Sequence, residues 1–471
     1  KGAKMIVIDS RETELTRYAD EWLRPRPGSE ALLIAGIGRA IFDEALEGKE
    51  FVATRIEQGE ALKQSLWAFD LAKVSRDTGI EASQIRRAAR IFATSDAGAI
   101  LLGANGLDDI AAEKLVDTAV DLSVTTGNIG RAFGGIYPLY QGANTLGARD
   151  MGATPGENGL GITDMIPAMS RGDIKAALVM ADGVSGYAPV LEGLPVALGN
   201  LDFLVVSAVF DSEITAQADV VLPAATYAEQ SSTVTNVERR VQLLRVTAEP
   251  RHEELTGWET IARIARAMGS TDFAHGSSSD VFAEIAGNIS NYRELSHEVL
   301  LSGGIQWPVD SSSVVGTPIL HADSTQKVTV VQLSYDELAE SVGTSALIFA
   351  PGRVLSQPER DVKVRKPGEM NYIDREQLVQ IHPDDAKATG LREGDLIQVK
   401  TEDGHVLARG TAVFESPQPG LVGSTTLFGE LATRMHELEA PDWAPLMPGL
   451  GFARVTLETA PVEQEAGAAA D

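Results

Sequence analysis

The 471-residue sequence predicts an α/β protein: two doubly wound, Rossmann-like α/β domains followed by a C-terminal β-barrel domain. Three observations carry that expectation. Short apolar runs (MIVI, AILL, AALVM, FLVVS) alternate with stretches of helical apolar spacing, the pattern of parallel strands wrapped by helices. From Ala346 the pattern turns to strands (LIFA, LVQIHP, LIQVKTEDGHVLARGTAV, FARVTLE), with an Asp-Gly hairpin signal at Asp403-Gly404. Between the two α/β halves lies Thr125–Gly152, with seven glycines and no regular apolar period. Such glycine density marks irregular backbone at positive φ, or backbone approached closely by something else.

Taken in order, Lys4–Ile8 is a short apolar run with a polar end at Asp9-Ser10-Arg11, which fits a buried parallel strand. Arg26–Ser29 is a turn, and Leu33, Ile34, Ile37 and Ile41 space a helix over Ala31–Leu46. Phe51–Phe69 reads as mixed helix, Ala82–Thr94 as a helix, Ala99–Leu102 as a strand and Ala111–Ser123 as a helix. The same grammar returns with strands at Ala176–Met180, Phe203–Ser207 and Val220–Pro223, and helices at Pro189–Leu198, Glu213–Ala218 and Gly257–Met268. Residues 164–170 read as loop or short helix. Residues 269–332, rich in Ser, Asp and Gly, read as connecting segments around one helix at Asp280–Ile289. His382-Pro383-Asp384-Asp385 opens a short helix that ends at Gly390, and the Ala/Glu-rich tail 459–471 reads as disordered.

Composition excludes several functions. A formal charge of -27 disfavours nucleic acid and anionic membranes as partners. The absence of cysteine removes disulfides, thiolate zinc sites and cysteine-ligated iron–sulfur clusters from this segment. Seven scattered histidines show no paired metal-ligand spacing, and no G-x-S-x-G elbow is present. Gly36-x-Gly38 lies inside a helical pattern, so it is a poor dinucleotide fingerprint. No apolar run approaches the roughly 18 residues of a membrane span. Lys1 leads straight into a strand pattern with no initiator Met, which predicts a piece of a longer protein or one subunit of a split one.

Six stretches then stand in a telling order: KGAKMIVIDSRETELTRYADEWLRPRPG, TGNIGRAFGG, QGANTLGARDMGATP, LDFLVVSAVFDSEITAQADVVLPAATYAEQSSTVTNVERRVQ, GGIQWP and VQIHPDDAKATGLREGDLIQVKTEDG. Together they resemble the molybdopterin oxidoreductases of the dimethyl sulfoxide reductase type, nearest to the complex I G subunit (NADH–quinone oxidoreductase) and the formate dehydrogenase large subunit. The resemblance implies a molybdopterin-binding α/β domain over 1–140, a second α/β domain over 141–290, a linker over 291–345, a dinucleotide-binding barrel over 346–458 and the tail over 459–471. It also implies an N-terminal iron–sulfur region outside this sequence. The implied cofactor is molybdopterin guanine dinucleotide holding Mo or W, unless the cavity is vestigial and empty.

By the same resemblance Asp9 and Arg11 would hold a nucleotide half of the cofactor, although a strand-end aspartate also caps turns. Gly28 and Ser29 match the turn that approaches the guanosine, and Glu30 stands where relatives usually have Asp reading the guanine N–H groups. Asn144, Gly147, Asp150, Asn236, Glu238 and Arg239 match further cofactor-side positions. Tyr140 stands where formate dehydrogenase has a substrate arginine, and tyrosine cannot pair bidentately with a carboxylate. The Ala181–Val184 turn, Ser207, Ser212, Thr433 and Gly451 also depart from the family pattern. The leading expectation is therefore a complex I G-like region, structural or supporting electron transfer. The alternatives are an active Mo/W formate dehydrogenase-like enzyme and a cofactor-free assembly module. The implied partners are the iron–sulfur region and other subunits of a respiratory or formate-oxidising complex. The implied place is the cytoplasm, peripheral on the inner face of the plasma membrane through those partners.

Overall fold

The structure is a computed structural model. It describes residues 2–10, 13, 15–103, 109–139, 143–156, 159–181, 194–209, 211, 213–250, 252–310, 315–323, 325–332, 334–339, 347–354, 378–401, 406–414, 418–427 and 453–460. Two compact units emerge. The first comprises 1–100, 106–136 and 321–471, and the second comprises 101–105 and 137–320.

The first unit begins with two parallel strands, β1 (Ile6–Ile8) and β2 (Glu21–Leu23), in the register Ile6 to Glu21 and Ile8 to Leu23. Helix α1 (Glu30–Asp43) follows and is its centre: 11 of its 14 residues are buried, from Ala31 to Phe42. A helix apolar on nearly every face can only be an interior one. Its glycines serve packing, since a Cβ on Gly36 would come 2.7 Å from Val74 and one on Gly38 would meet Leu66. Around it lie α2 (Lys49–Arg55), α3 (Gly59–Leu66), α4 (Leu71–Thr78) and α5 (Ala82–Ala93). The helix expected across 51–69 is broken at Ile56, whose extended backbone bridges to Val328 instead of continuing the helix. Helix α4 has no counterpart in the sequence reading. Asp70 caps it by accepting from the amides of Ala72 and Lys73, and Gly79 ends it at φ +78°.

Strand β3 (Ala99–Leu102), helix α6 (Asp109–Thr125) and strand β4 (Gly135–Pro138) complete this part, and β3 pairs with β4. The glycine-rich stretch begins as α6 ends. Asn128, 2% exposed, accepts from the Gly98 amide at 2.8 Å and donates to the Thr126 hydroxyl at 2.7 Å, fixing the turn. Gly130 has φ +76°, and a Cβ there would lie 2.3 Å from the His321 carbonyl oxygen. Gly130→Ala is therefore expected to cost roughly 2–4 kcal/mol of unfolding free energy, read from urea titration, because steric clash adds to backbone strain.

The second unit contains α7 (Thr145–Asp150), α8 (Ile162–Ser170), β5 (Ala176–Ala181), α9 (Leu194–Leu198), β6 (Phe203–Ala208), α10 (Glu213–Gln217) and β7 (Val220–Pro223). Strands β5, β6 and β7 form a parallel sheet, and Leu204, Val206 and Ala208 pack on Met169, Ala197 and Leu198. The hairpin β8 (Ser232–Thr235) to β9 (Arg240–Leu244) follows, then α11 (Gly257–Ala267) and α12 (Ser278–Asn288). Helix α11 opens on a capping box of Thr256 and Glu259. Helix α13 (His297–Leu300), β10 (Ile305–Gln306) paired with β9, and the short pair β11 (Val309–Asp310) and β12 (Val315–Gly316) close the unit. The described residues of 291–320 belong to this unit, and Tyr292 and Leu295 join Val241 and Phe282 in its second core.

The chain then returns to the first unit. Helix α14 (Tyr335–Ala339) precedes β13 (Leu347–Val354), β14 (Leu378–Ile381), α15 (Pro383–Thr389), β15 (Leu396–Thr401), β16 (Val406–Val413), β17 (Leu421–Leu427) and β18 (Ala453–Thr459). The six strands close a barrel in the order β13-β17-β14-β16-β15-β18 around Phe349, Val379, Ile397, Val399, Val422 and Val455. The antiparallel hairpin expected at the Asp-Gly signal is the pair β15–β16, although its turn residues 402–405 lie outside the described residues. His382 caps α15, its Nδ1 accepting from the Asp384 amide at 3.1 Å, and Gly390 ends the helix at φ +74°. The α/β class with a C-terminal barrel is as expected. Among the described residues no helix is long and apolar enough to cross a membrane.

Candidate functional site

In the first unit, the expected residues at the end of β1 and the start of α1 come together. Asp9 is held there by its own amide, which donates to the Leu23 carbonyl at 3.1 Å, while Trp22 Nε1 donates to the Asp9 carbonyl at 3.0 Å. Beside it the turn 26–29 brings the chain into α1 with Gly28 at φ +83°. Glu30 is half-buried as a residue, but its carboxyl is enclosed, and burial pushes it up to about 7. The amides of Glu30 and Gly28 favour the charged form, the Asp9 carboxylate opposes it, and Ser10 gives a smaller favourable contact. Ser29 is fully buried, and its hydroxyl donates to the Arg26 carbonyl at 2.6 Å, so it shapes the turn. Arg11 lies outside the described residues.

The result is a carboxyl pair, Asp9 and Glu30, at a strand end and a helix start. A carboxylate poised near neutrality accepts from paired N–H or O–H donors, so this group suits the ribose hydroxyls and base edge of a nucleotide. Those acceptors fit the guanosine part of a molybdopterin guanine dinucleotide.

In the second unit, the expected residues are spent largely on one another's backbone. Asn144 Oδ1 accepts from the Thr235 amide at 2.8 Å, and Gly147 is buried where a Cβ would meet Asn144 and Thr235. Asn236 Oδ1 accepts from the amides of Glu238 and Arg240, at 2.9 and 3.0 Å, which makes the tight turn between β8 and β9. Arg239 sits in that turn at φ +64° and donates to the carbonyls of Trp307, Thr317 and Pro318. Burial lowers its guanidinium from the usual arginine range. Glu238 lies 3.4 Å from Arg240 Nε. Asp150 accepts from the Tyr292 hydroxyl at 2.8 Å, and Tyr292 also shares a 2.7 Å hydrogen bond with the Thr235 hydroxyl. Burial raises the Asp150 carboxyl and holds the Tyr292 phenol far above its usual range. Tyr292 carries no signal in the sequence, since nothing in NYRELS pairs it with a residue 142 positions earlier.

Ser207 is buried in β6, opposite Met180 of β5. Tyr140, the residues 182–184, Ser212, Thr433 and Gly451 lie outside the described residues, as do residues 461–471 of the tail.

The family described as molybdopterin oxidoreductase matches residues 1–267, and the molydopterin dinucleotide binding domain matches residues 347–447. The chain is 30% identical to the F420-dependent formate dehydrogenase subunit alpha of Methanocaldococcus jannaschii, over 97% of this chain and 72% of that protein. It is 29% identical to the assimilatory nitrate reductase catalytic subunit of Bacillus subtilis, over 87% of this chain and 63% of that one. Among solved structures, acetylene hydratase from Pelobacter acetylenicus has the same fold at a TM-score of 0.68, with 19% identity over 98% of this chain and 74% of that one.

Proposed function

The chain belongs to the molybdopterin oxidoreductase family, and from that premise we propose that it is the dinucleotide-holding part of a formate dehydrogenase-type alpha subunit. The relatives support this reading better than the complex I G-like one, because formate dehydrogenase alpha subunits match over nearly the whole chain. The observation that carries it is the enclosed carboxyl of Glu30 beside Asp9 at the end of β1. When bound, the cofactor supplies a Mo or W centre that takes two electrons from the substrate. The chain's own residues would bind and orient it: Glu30 accepting from the base edge, Asp9 from the ribose, and the barrel enclosing the dinucleotide. This stretch has no cysteine, so any cysteine-ligated clusters that receive the electrons would lie outside it, in an N-terminal iron–sulfur region or in partner subunits.

The complex purified under its native conditions is expected to contain Mo or W with guanine dinucleotide in stoichiometric amount. Finding neither metal nor nucleotide in an intact complex would overturn the proposal. Tyr140 favours a second reading, in which the cavity serves support or a substrate other than formate. Tyr140→Arg separates the two. In a formate-oxidising complex it restores a carboxylate clamp and lowers the KM for formate about tenfold or more in dye-coupled assays. In a supporting subunit it changes no redox rate.

A further inference from the structure

The second unit holds a cavity of about 200 Å³ that takes no part in the Asp9–Glu30 group. It opens between β8, the start of α7 and one side of α12. Its walls carry no Lys, Arg, Asp or Glu. The two titratable groups that line it are His297 and Tyr292. Burial lowers the His297 imidazole, which packs 5.4 Å from the Phe282 ring, and the Tyr292 hydroxyl is committed to Asp150 and Thr235. The lining is therefore neutral at neutral pH, and a charged ligand would lose hydration there without a counter-charge.

The polar atoms on offer come from β8, the residue that opens α7, and the first turns of α11 and α12. The Asn144 side chain spends its oxygen on the Thr235 amide and keeps its NH₂ uncommitted. The hydroxyls of Thr233 and Ser278 and the Trp258 indole N–H make no hydrogen bond among the described residues. The remaining wall, from Val281 and Ile285 of α12, is apolar. A cavity of roughly 150 Å³ accepts a benzene ring, so this one has room for one ring and a small substituent.

We propose that this cavity binds an uncharged single-ring aromatic carboxamide, its ring against Val281 and Ile285 and its amide edge toward Asn144 and Thr233. The amide supplies an oxygen for the Asn144 NH₂ and an N–H for the Thr233 hydroxyl, so both kinds of uncommitted group are met. The site shares no residue with the Asp9–Glu30 group, although Asn144 and Gly147 are among the positions that the family resemblance puts on the cofactor side.

Nicotinamide and its anionic counterpart nicotinate, titrated into the full chain at pH 7.5 by saturation-transfer NMR, test this. Nicotinamide is expected to bind at least tenfold more tightly than nicotinate, a preference of about 1.4 kcal/mol. Thr233→Val should weaken nicotinamide about tenfold, and Val281→Trp should abolish binding by filling the cavity. Equal binding of the two probes would overturn the proposal. So would no saturation transfer to nicotinamide at about 10 mM, where a site of useful affinity would be occupied. Unchanged nicotinamide binding in either variant, with its melting temperature shown to match the parent, would also overturn it.

Discussion

Asparagine in place of Asp121 is expected to raise the melting temperature by about 5 °C or more at pH 8.5, and by almost nothing at pH 4. Asp121 lies on α6, 4% exposed, with neither carboxyl oxygen in a hydrogen bond of good geometry. Burial pushes its carboxyl up to about 8, Asp117 one turn earlier adds like-charge repulsion, and the Val331 amide offsets only part of this. Burial and Glu113 in turn raise Asp117, so an acidic ladder runs along this face of the helix. The sign follows from proton counts. Between pH 4 and pH 8 the folded chain keeps a proton that the unfolded chain has released, so stability falls as pH rises through that window and levels off above it. The full penalty is on the order of 6 kcal/mol, about four pKa units at about 1.4 kcal/mol each, for a carboxylate forced to ionise in an enclosed site. Asparagine keeps the shape and cannot ionise, so its advantage should grow across the same window. A melting-temperature difference independent of pH would show that the Asp121 carboxyl does not titrate as described.

What the sequence made legible, and what it hid, divides along physical lines. The barrel hairpin β15–β16 was visible because alternation and an Asp-Gly turn are local signals. Helix α1 was visible because its apolar residues recur around the whole helix. The hairpin β8–β9 was not, although its residues had been singled out. STVTNVERRVQLL alternates weakly, and its turn is made by an Asn236 side chain accepting from two backbone amides, a conformational fact that residue type only permits. Among the candidate residues, the meeting of Asp9 and Glu30 was legible because strand ends and helix starts gather polar groups by construction. Asn236 and Arg239 were matched by motif, yet their polar atoms hold a turn and three carbonyls. The motif records the scaffold there, and sequence alone does not separate a residue that touches a ligand from one that shapes its surroundings. Tyr292 shows the converse: a phenol in a Ser-rich connecting stretch becomes one of the most buried side chains of its unit, through contacts far away in the chain.

The second large effect concerns Glu30 and follows from the cofactor reading. If its carboxylate accepts from the N–H edge of guanine, only the ionised form serves, and the free protein holds that carboxyl near pH 7. Affinity for a guanine nucleotide should therefore climb about tenfold per pH unit up to about pH 7 and flatten above it, because each unit below the pKa removes a factor of ten in the competent form. Binding in turn drives the carboxyl to ionise, so one proton should be released per nucleotide bound near pH 6. Glu30→Gln keeps the size of the side chain and one acceptor but presents an N–H to a donor edge. It should weaken GDP binding by about 10- to 100-fold at pH 8, the range for a lost hydrogen bond to a charged group, and erase the pH dependence. Calorimetry of GDP binding in buffers of different ionisation enthalpy measures both the affinity and the proton count. A pH-independent affinity in the parent chain would place the base away from Glu30. Adenine nucleotide supplies the control, since its edge offers an amino donor but no adjacent ring N–H for the second carboxylate oxygen. ADP should therefore bind more weakly and gain less than GDP as Glu30 ionises.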